Sequence, residues 1–261
     1  MKLEDCIITK NEILKGDYRR VIFRTNAIAA AVKPGQFVHV KIAELRDRIL
    51  RRPFSICDVS EDGSLTVAYK VVGDGTAKLA ELPPGTECNL MGPLGVPFSL
   101  PAKNKIPVLI AGGYGSAATY ILAKRSPEPG ILLLGARSDA DIILAEEFEK
   151  LGFDVRLATE DGSRGTKGLV TALLEDVLAE PELEKKRFYS CGPHGMLMAV
   201  GQMLLNHKTD GELSLDHLMC CGVGACFACV VKVKADNPDG WRYARTCSEG
   251  PVFNASDVYY D

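Results

Sequence analysis

The spacing of four cysteines near the C-terminal end constrains this chain more than any other sequence feature. Counted from Cys221, the spacing to Cys226 and Cys229 is C-x4-C-x2-C, and Cys247 follows after a longer segment. Four thiolates at this spacing are the plant-type ligand pattern of a [2Fe-2S] cluster. The sequence therefore predicts an iron-sulfur centre in the final fifth of the chain.

The residues between these cysteines suit a loop that wraps a small anionic core. Gly222, Gly224 and Ala225 are small, so the backbone can come close and its amide N–H groups can face the sulfurs. Cys220 is a rival first ligand, but choosing it would give C-x5-C, which departs from the pattern. We therefore expect Cys220 to lie beside the ligands and not among them.

Three other uses of the cysteines fit the sequence less well. A structural zinc site usually combines two close ligand pairs, whereas only Cys226 and Cys229 form a C-x2-C pair. Disulfides need an oxidising compartment, and residues 1–5 begin a charged segment without the apolar stretch of a secretory signal. A Rieske centre needs two histidine ligands, and His217 stands alone beside the cysteines.

Length and charge narrow the class of protein further. A chain of 261 residues exceeds what one hydrophobic core usually holds, so two or three compact units are expected. The net charge of -3 and the pI near 5.9 give no basic surface, so we expect no nucleic-acid partner. No apolar run approaches the roughly 18 to 20 residues needed to span a bilayer. The sequence predicts a cytoplasmic protein without a membrane segment.

Residues 1–101 have the pattern of a small antiparallel β-barrel. Short segments rich in Val, Ile, Phe and Tyr lie at 18–24, 36–42 and 64–71, with turn signals between them. The string Arg-Arg-Pro-Phe-Ser at 51–55 is unusual for a strand. Proline cannot donate to a ladder, and two adjacent arginines are costly to bury without an anion. A phosphate-bearing ligand would explain both features, and an edge strand with solvated arginines is the alternative.

Residues 102–210 change to an alternation of predicted strands and helices. The first apolar run, 106–111, ends in a glycine turn that precedes a helical pattern at 116–124. Further strands are predicted at 131–134, 154–158 and 187–190, and further helices at 140–151, 168–178 and 196–205. This alternation implies βαβ units and a doubly wound parallel sheet, in which ligands bind at the carboxyl ends of the strands.

The predicted architecture is therefore a multi-domain β and α/β chain. Residues 1–101 form the barrel, residues 102–210 form the doubly wound nucleotide domain, and residues 211–261 form a small unit around the cysteines. The last unit has few apolar residues outside the cysteine segment, so we expect the metal to supply much of its folding energy.

The order of the motifs resembles that of the ferredoxin-NAD(P)H reductase superfamily over essentially the whole chain. The motifs are Arg52-Pro53-Phe54-Ser55, Gly75-Thr76, Gly112-Gly113-Tyr114-Gly115 and Cys191-Gly192-Pro193. The cysteine segment, followed by Gly-Pro-Val-Phe at 250–253, resembles more narrowly the electron-transfer subunits of class B dihydroorotate dehydrogenases. The string Asp-Gly-Ser-Arg-Gly-Thr-Lys-Gly at 161–168 shares that narrower resemblance.

The resemblance implies three bound groups and a residue set for each. FAD would lie against the barrel at Arg52, Pro53, Phe54, Ser55, Tyr69, Lys70, Val71, Gly75 and Thr76. NAD would lie against Gly112, Gly113, Gly115, Cys191, Gly192 and Pro193. The [2Fe-2S] cluster would be bound by Cys221, Cys226, Cys229 and Cys247. No residue stands out as an acid or base for a substrate, so no catalytic residue is assigned.

Two details of the nucleotide region are specific to this sequence. After the glycine turn the chain reads Ser116-Ala117-Ala118, where the family commonly has an apolar residue, alanine and proline, so proline does not preset the start of the helix. Arg137 and Ser138 follow the second predicted strand and suit either a 2′-phosphate contact or a solvated turn. The resemblance favours NAD over NADP.

The implied function is electron transfer between a partner enzyme and NAD+. A catalytic, FMN-containing dihydroorotate dehydrogenase would deliver electrons through the [2Fe-2S] cluster and FAD, in pyrimidine biosynthesis and within a heterotetramer. The same groups would also serve a hydrogenase, a sulfite reductase or an NADH-dependent ferredoxin-NADP+ reductase complex. A third hypothesis is an iron-sulfur regulator that has lost its flavin, and the string at 52–55 argues against that loss.

Overall fold

The computed structural model describes residues 1–42, 49–216 and 218–260. The strands in these ranges form two seven-stranded sheets and one two-stranded hairpin. The first sheet contains β1 (Lys2–Lys15), β2 (Tyr18–Arg24), β3 (Phe37–Lys41), β4 (Arg52–Ser55), β5 (Asp58–Val59), β6 (Ser64–Lys70) and β7 (Glu87–Leu94). Their order is β4-β3-β7-β1-β2-β6-β5, every pair is antiparallel, and helix α1 (Asp74–Glu81) connects β6 to β7.

The first sheet curls around its own apolar core. Alternate residues of β2 and β6, among them Phe23 and Val67, are fully buried, as expected where one face of each strand packs inward. Phe54 belongs to β4, the first strand of the order, and Tyr69 to β6, the last but one, yet their ring centroids are 5.5 Å apart. The predicted antiparallel barrel is confirmed.

The second sheet follows the barrel in the chain and is parallel except at one edge. It contains β8 (Ile106–Gly112), β9 (Ile131–Ala136), β10 (Asp154–Thr159), β11 (Thr166–Lys167), β12 (Lys186–Cys191), β13 (Gly211–Ser214) and β16 (Val252–Asn254). The order is β11-β10-β9-β8-β12-β13-β16, and β16 is antiparallel to β13. The helices are α2 (Gly115–Arg125), α3 (Ala145–Lys150), α4 (Val170–Ala179) and α5 (His194–Asn206).

Helices cover both faces of the second sheet. Leu109 and Leu132 point to the face covered by α2 and α3, whereas Val108 and Leu133 point to the face covered by α4 and α5. Because both faces are buried, each central strand reads as a continuous apolar run rather than an alternating one. This arrangement confirms the predicted doubly wound α/β fold.

Two local predictions differ from the structure. The helix predicted over residues 140–151 is wrong in its first half, because the chain forms a 3-10 turn at Asp139–Asp141 and the helix begins only at Ala145. Leu144 has a φ of 64°, which no helix accommodates, and it is buried together with the two apolar residues before it. In addition, the string Gly73-Asp74-Gly75 has the composition of a turn signal, but Gly73 caps helix α1 and Gly75 lies in its first turn.

The cysteine region is joined to the second sheet by two strands. β13 pairs with β12, and β16 pairs with β13, so residues on both sides of the cysteines belong to that sheet. Between them stands the hairpin of β14 (Val230–Lys234) and β15 (Trp241–Arg245). The unit boundaries predicted at 101/102 and 210/211 stay a prediction. No helix in the described ranges is long and apolar enough to cross a membrane.

Candidate functional site

A cavity of about 540 Å³ opens at the carboxyl edge of the second sheet. β9 neighbours β8 on one side and β12 neighbours it on the other, so the order of strands along the chain reverses between β8 and β12. Such a reversal opens a crevice at the carboxyl ends of the strands, where doubly wound proteins bind nucleotides. The walls include Gly112 at the end of β8, Gly135 in β9 and Pro193 after β12.

Glycines allow the ends of β8 and β12 to meet behind this cavity. A Cβ on Gly115 would stand 2.0 Å from the backbone oxygen of Cys191, a distance that no real side chain tolerates. A Cβ on Gly112 would stand 2.6 Å from Cδ of Pro193. The two predicted motifs are therefore in direct contact.

The predicted nucleotide residues divide into two groups. Gly112, Gly113 and Pro193 line the cavity. Gly115, Cys191 and Gly192 do not line it; there the start of α2 touches the end of β12, and the Cys191 thiol is fully buried. Helix α2 begins at Gly115, and proline is absent from its first turn. Its N-terminal amide groups, which favour anions, lie at the same edge of the sheet as the cavity.

The barrel supplies part of the same cavity wall, which sequence reasoning missed. Tyr18 and Lys70 line the cavity together with Asp141 of the second unit. Lys70 Nζ lies 2.7 Å from Asp141 Oδ1, and the Tyr18 hydroxyl donates to that oxygen at 3.0 Å. The ammonium group lowers the pKa of Asp141. Lys70, predicted in the flavin site, thus contacts the boundary between the two units, and Arg137 lines the cavity beside it.

Asp216 lies just beyond β13 at the same edge and was also missed. Its Oδ1 is buried and has no hydrogen-bond partner among the described residues. Burial raises the pKa of Asp216 to about 7. The carboxyl group in turn raises the pKa of Tyr114, together with burial of that phenol. Nothing in the local sequence distinguishes this aspartate from a surface residue.

In the barrel, Arg52 and the start of α1 lie side by side. A Cβ on Gly75 would stand 2.7 Å from Nε of Arg52, so only glycine lets the helix start approach the guanidinium this closely. A guanidinium beside helix N-terminal amides forms a donor set that fits a pyrophosphate. Arg51 projects elsewhere and donates to the backbone oxygen of Asn89 at 2.8 Å, so the two adjacent arginines have different partners.

The other predicted flavin residues have distinct local roles. The Thr76 hydroxyl accepts from the amides of Val72 and Gly73 at 2.9 and 3.1 Å, so it holds the turn before α1. The Tyr69 hydroxyl is buried without a partner among the described residues, and burial raises its pKa to about 12. Ser55 is half-buried at the end of β4 and pairs with Phe37 of β3. The unpartnered Tyr69 hydroxyl and the half-buried Ser55 can both offer hydrogen bonds to the polar atoms of a flavin ring.

The cysteine loop, defined here as residues 218–229, directs amide groups at the predicted ligands. Val223 N and Ala225 N donate to Cys221 Sγ at 3.5 and 3.3 Å, and Gly224 N donates to Cys247 Sγ at 3.1 Å. Burial raises the pKa of Cys221, but hydrogen bonds from the amides of Val223, Cys226 and Ala225 and from the Cys226 thiol outweigh it and lower the value to about 6. The loop is thus built to stabilise thiolates, as an iron-sulfur cluster requires.

The four predicted ligands approach one another in two pairs. The thiols of Cys221 and Cys226 are within hydrogen-bonding reach, as are those of Cys229 and Cys247. Across residues 1–42, 49–216 and 218–260, no three His, Cys, Asp or Glu side chains surround one point as a single metal ion needs. Two pairs of thiolates suit two irons. Cys220 also lies close to Cys226, and His217 lies outside the described residues.

An arginine that sequence reasoning missed supports the cysteine loop from β15. Arg245 Nη1 donates to the backbone oxygen of Gly224 at 3.1 Å, and its guanidinium lies 4.9 Å from the centre of the Phe227 ring. Glu249 holds Arg245 in place, accepting from its backbone N at 3.0 Å and from Nε at 3.1 Å. These contacts fix the loop segment whose amide faces Cys247.

The cysteine loop packs against the outer face of the barrel. Cys229 and Cys247 lie in an apolar cluster with Phe37 of β3 and Leu94 of β7. Beside them His39 of β3 is fully buried, and a Cβ on Gly222 would stand 2.7 Å from its Nε2. The predicted iron-sulfur site therefore touches the strand that pairs with the predicted flavin strand β4.

Comparison with known proteins agrees with this geometry. The iron-sulfur cluster binding domain of dihydroorotate dehydrogenase B matches residues 216–259, and an FAD-binding domain matches residues 5–118. The dihydroorotate dehydrogenase B (NAD(+)) electron transfer subunit of Fusobacterium nucleatum subsp. nucleatum is 38% identical over 264 residues, which cover 99% of each chain. That of Geobacillus kaustophilus is 42% identical over 233 residues, covering 87% of this chain and 86% of that protein.

Solved structures show the same architecture. A chain of the NADH-dependent reduced ferredoxin-NADP oxidoreductase matches with a TM-score of 0.83 and 26% identity, over 98% of this chain and 90% of that one. The ferredoxin reductase of carbazole 1,9a-dioxygenase shares the fold, with a TM-score of 0.70 and 23% identity over 80% of this chain and 66% of that one.

Fold and site together define an oxidoreductase subunit of the ferredoxin reductase type, with an FAD-binding barrel and an iron-sulfur unit. Sequence identities of 38% and 42%, over 99% and 87% of the chain, narrow this class to one family. The chain belongs to the family of dihydroorotate dehydrogenase B (NAD(+)) electron transfer subunits.

Proposed function

We propose that this chain carries electrons from a catalytic, FMN-containing dihydroorotate dehydrogenase subunit to NAD+. The chain provides the site of the [2Fe-2S] cluster, the site of FAD and the cavity for the nicotinamide nucleotide. When bound, FAD supplies the conversion between the single electrons of an iron-sulfur cluster and the hydride pair of a nicotinamide. The task of the residues is to bind these groups, hold them close and exclude water.

Each group has a donor set that fits its chemistry. Arg52 and the amides at the start of α1 would hold the FAD pyrophosphate, with Ser55 and the unpartnered Tyr69 hydroxyl nearer the ring. The cavity at the switch point would hold the nicotinamide nucleotide, with α2 directed at its phosphates. Cys221, Cys226, Cys229 and Cys247 would bind the cluster, in the order Cys221 with Cys226 and Cys229 with Cys247.

The observation that carries the proposal is that the barrel contacts both of the other sites. Its β3 and β7 pack against Cys229 and Cys247, while its Tyr18 and Lys70 line the nucleotide cavity. A flavin bound to this barrel is therefore flanked by the one-electron group and by the two-electron group. Electron transfer falls off steeply with distance, so this order in space supports a relay.

Exposed apolar side chains on the cysteine loop support a partner subunit at this end. Leu218 is 82% exposed, Phe227 is 61% exposed and Val223 is 43% exposed, all within the loop of the predicted ligands. Large apolar side chains grouped on a surface mark protein interaction sites. Docking there would bring the partner's own cofactor close to the cluster.

Finer features of the proposal follow from the family. We expect a heterotetramer with two copies of each subunit, a role in pyrimidine biosynthesis, and NAD in preference to NADP. We also expect the complex to act in the cytoplasm, where the nine free cysteines would stay reduced.

The first experiment is an anaerobic visible spectrum of the purified chain, with iron, sulfide and flavin measured on the same sample. We expect about one FAD, two irons and two sulfides per chain. Addition of NADH should bleach the flavin absorption. Zinc without flavin would contradict the proposal and leave the cysteines with a structural role.

The second experiment tests the division of labour between subunits. The isolated chain should not oxidise dihydroorotate, whereas coexpression with the catalytic subunit should yield a complex that reduces NAD+. A Phe227→Ser change should weaken that complex, while Ile13→Ser, which alters a residue 66% exposed on β1, should not. Oxidation of dihydroorotate by the chain alone would refute the proposed role.

A second candidate is a subunit of an NADH-dependent ferredoxin-NADP+ reductase complex. The structural match over 98% of the chain at 26% identity favours it, although the dihydroorotate dehydrogenase relatives are 38% and 42% identical. Copurification separates the two candidates, because only the first predicts a dihydroorotate-oxidising FMN protein bound to this chain.

A further inference from the structure

His39 is an unusual residue for a buried position on the outer face of a barrel strand. It lies in the middle of β3, opposite Pro53 of β4 on one side and Met91 of β7 on the other. Its side chain is fully buried, and both ring nitrogens lack a hydrogen-bond partner among the described residues. A buried polar group left unpaired destabilises the folded state. Two such nitrogens on one ring indicate a partner that the described side chains and backbone do not supply.

The imidazole faces the cysteine loop. A Cβ on Gly222 would stand 2.7 Å from Nε2 and 2.9 Å from both Cδ2 and Cε1, so the edge of the ring presses on the backbone directly after Cys221. Gly222 has a φ of 71°, a conformation that favours glycine. The absence of a side chain at Gly222 therefore leaves the space that the imidazole ring of His39 occupies.

The His39 ring is shielded from water and lies near two of the predicted cluster ligands, Cys229 and Cys247. Phe37, whose ring centroid is 5.6 Å from that of His39, packs in the apolar cluster with Cys229 and Cys247. Burial lowers the pKa of His39 to about 4, so the imidazole is neutral and carries one N–H donor. The charged group nearby, Arg51, acts in the same direction.

We propose that His39 donates a hydrogen bond to a sulfur of the iron-sulfur centre and thereby sets its reduction potential. His39 is a positioning residue on the flavin barrel, and the ligands remain the four cysteines. N–H donors to cluster sulfurs stabilise the reduced, more negative state and raise the potential. The inference rests on the proposed function in one respect, the presence of the cluster.

The same placement connects the cluster with the flavin strand. Pro53, which pairs with His39, lies within the predicted flavin string, two residues before Ser55. The side chain of His39 thus bridges β3 of the barrel and the loop that follows Cys221.

The test is an anaerobic redox titration of the full-length chain with its native cofactors, following the reduced cluster by EPR and the flavin by absorption. In His39→Phe, which keeps a ring and removes the donor, we expect the one-electron equilibrium of the cluster to shift about tenfold towards the oxidised form, about 59 mV. His39→Gln, which restores an N–H donor, should recover part of the shift. The flavin potential should stay the same in both variants, and so should the cluster potential in the control Met91→Leu, which alters a neighbour on the same face.

A measurement on the unmodified chain keeps the test decisive if His39→Phe loses its cluster. Pulsed EPR of protein labelled with ¹⁵N-histidine should show a weak nitrogen coupling to the reduced cluster, much smaller than that of a ligating histidine. The coupling should persist in His217→Asn, which lacks the histidine nearest the cysteines in sequence. Its absence, or equal cluster potentials in the wild type and His39→Phe, would overturn the role of His39. A chain that binds no iron and no flavin would instead refute the proposed function.

Discussion

At the scale of single residues, the nucleotide edge depends on a few positions where a methyl group is too large. Gly115 is the clearest, since its Cβ would stand 2.0 Å from a backbone oxygen that β12 holds in place. Gly195, in the first turn of α5, has nothing within 4 Å of the corresponding Cβ position. Both glycines lie in the first turn of a helix, and they differ in the atoms that surround the Cβ position.

Opposite effects on stability are therefore expected for alanine at these two sites. Gly115→Ala should lower the free energy of unfolding by about 3 kcal/mol or prevent folding, because backbone must move. Gly195→Ala should raise it by about 0.5 to 1 kcal/mol through helix propensity alone. Thermal unfolding of both variants beside the wild type measures this. Equal melting temperatures for the two variants would show that the contact between the start of α2 and the end of β12 is looser than described.

Asp216 gives a second prediction at this scale. Its pKa is raised from 3.8 to about 7 by burial, so the folded state holds the proton more tightly than the unfolded chain. The stability that this supplies is complete below about pH 4 and is lost as the pH rises to about 7. Asp216→Asn should therefore be more stable than the wild type at pH 8, by about 2 kcal/mol for a group that is not fully enclosed.

The measurement is the melting temperature of both proteins at pH 4.5 and pH 8. Near pH 4.5 the difference should be small, because the wild-type carboxyl group is then protonated like the neutral amide. A constant difference across this range would show that Asp216 titrates near its ordinary value.

At the scale of elements, the cysteine loop and the strands beside it should respond differently to loss of the cluster. The loop has few internal apolar contacts, whereas β13 is buried and hydrogen-bonded on both sides by β12 and β16. A metal that holds a loop supplies folding energy there and little to a preformed sheet.

Cys226→Ser should therefore open residues 218–250 to limited proteolysis while β13 and the barrel stay protected. Cys220→Ser is the matched control, since the adjacent thiol is predicted to lie outside the ligand set, and its cleavage pattern should equal that of the wild type. Unchanged sensitivity in Cys226→Ser, or cleavage within β13, would contradict the expected division.

Sequence patterns predicted most of the elements. β2 was predicted over 18–24 and spans Tyr18–Arg24, because the segment is rich in Val, Ile, Phe and Tyr and follows a turn at Gly16. The first half of the helix predicted over 140–151 was wrong because Leu144 turns the chain into the left-handed region, which tertiary packing imposes and no local pattern reveals. Elements with a regular period were predictable, and this irregular turn was not.

At the scale of the whole molecule, polar contacts align the barrel with the second unit. Lys70 and Tyr18 meet Asp141 at the cavity, and Lys15 Nζ lies 3.0 Å from Asp139 Oδ2 nearby. These groups are partly exposed, so each pair contributes roughly 0.2 to 1 kcal/mol and several together set the orientation.

Asp141→Asn should loosen this boundary without unfolding either unit. We expect faster hydrogen exchange in residues 137–143 and in β2, with little change in the core of the second sheet. Glu182→Gln, which removes an exposed ion pair with Lys185, is the control and should leave both segments unchanged. Because the Asp141 pKa is lowered, its contribution is present above about pH 4 and is lost as the pH falls through the lowered pKa, so in acid the wild type should approach the variant. Identical exchange in both variants at neutral pH would argue against an orienting role.

The sequence by itself determined the chemistry available to this protein. Ligand spacing is local, so the cysteines predicted a cluster, and the order of the glycine and arginine motifs predicted an FAD barrel beside a nucleotide sheet. Only the tertiary structure decided which residues, distant in sequence, lie next to one another. It brought His39 against Gly222, Tyr18 into the nucleotide cavity and Asp216 close to Tyr114. Such pairs depend on strand register and on the packing of one unit against another, and neither leaves a signal in the residues nearby.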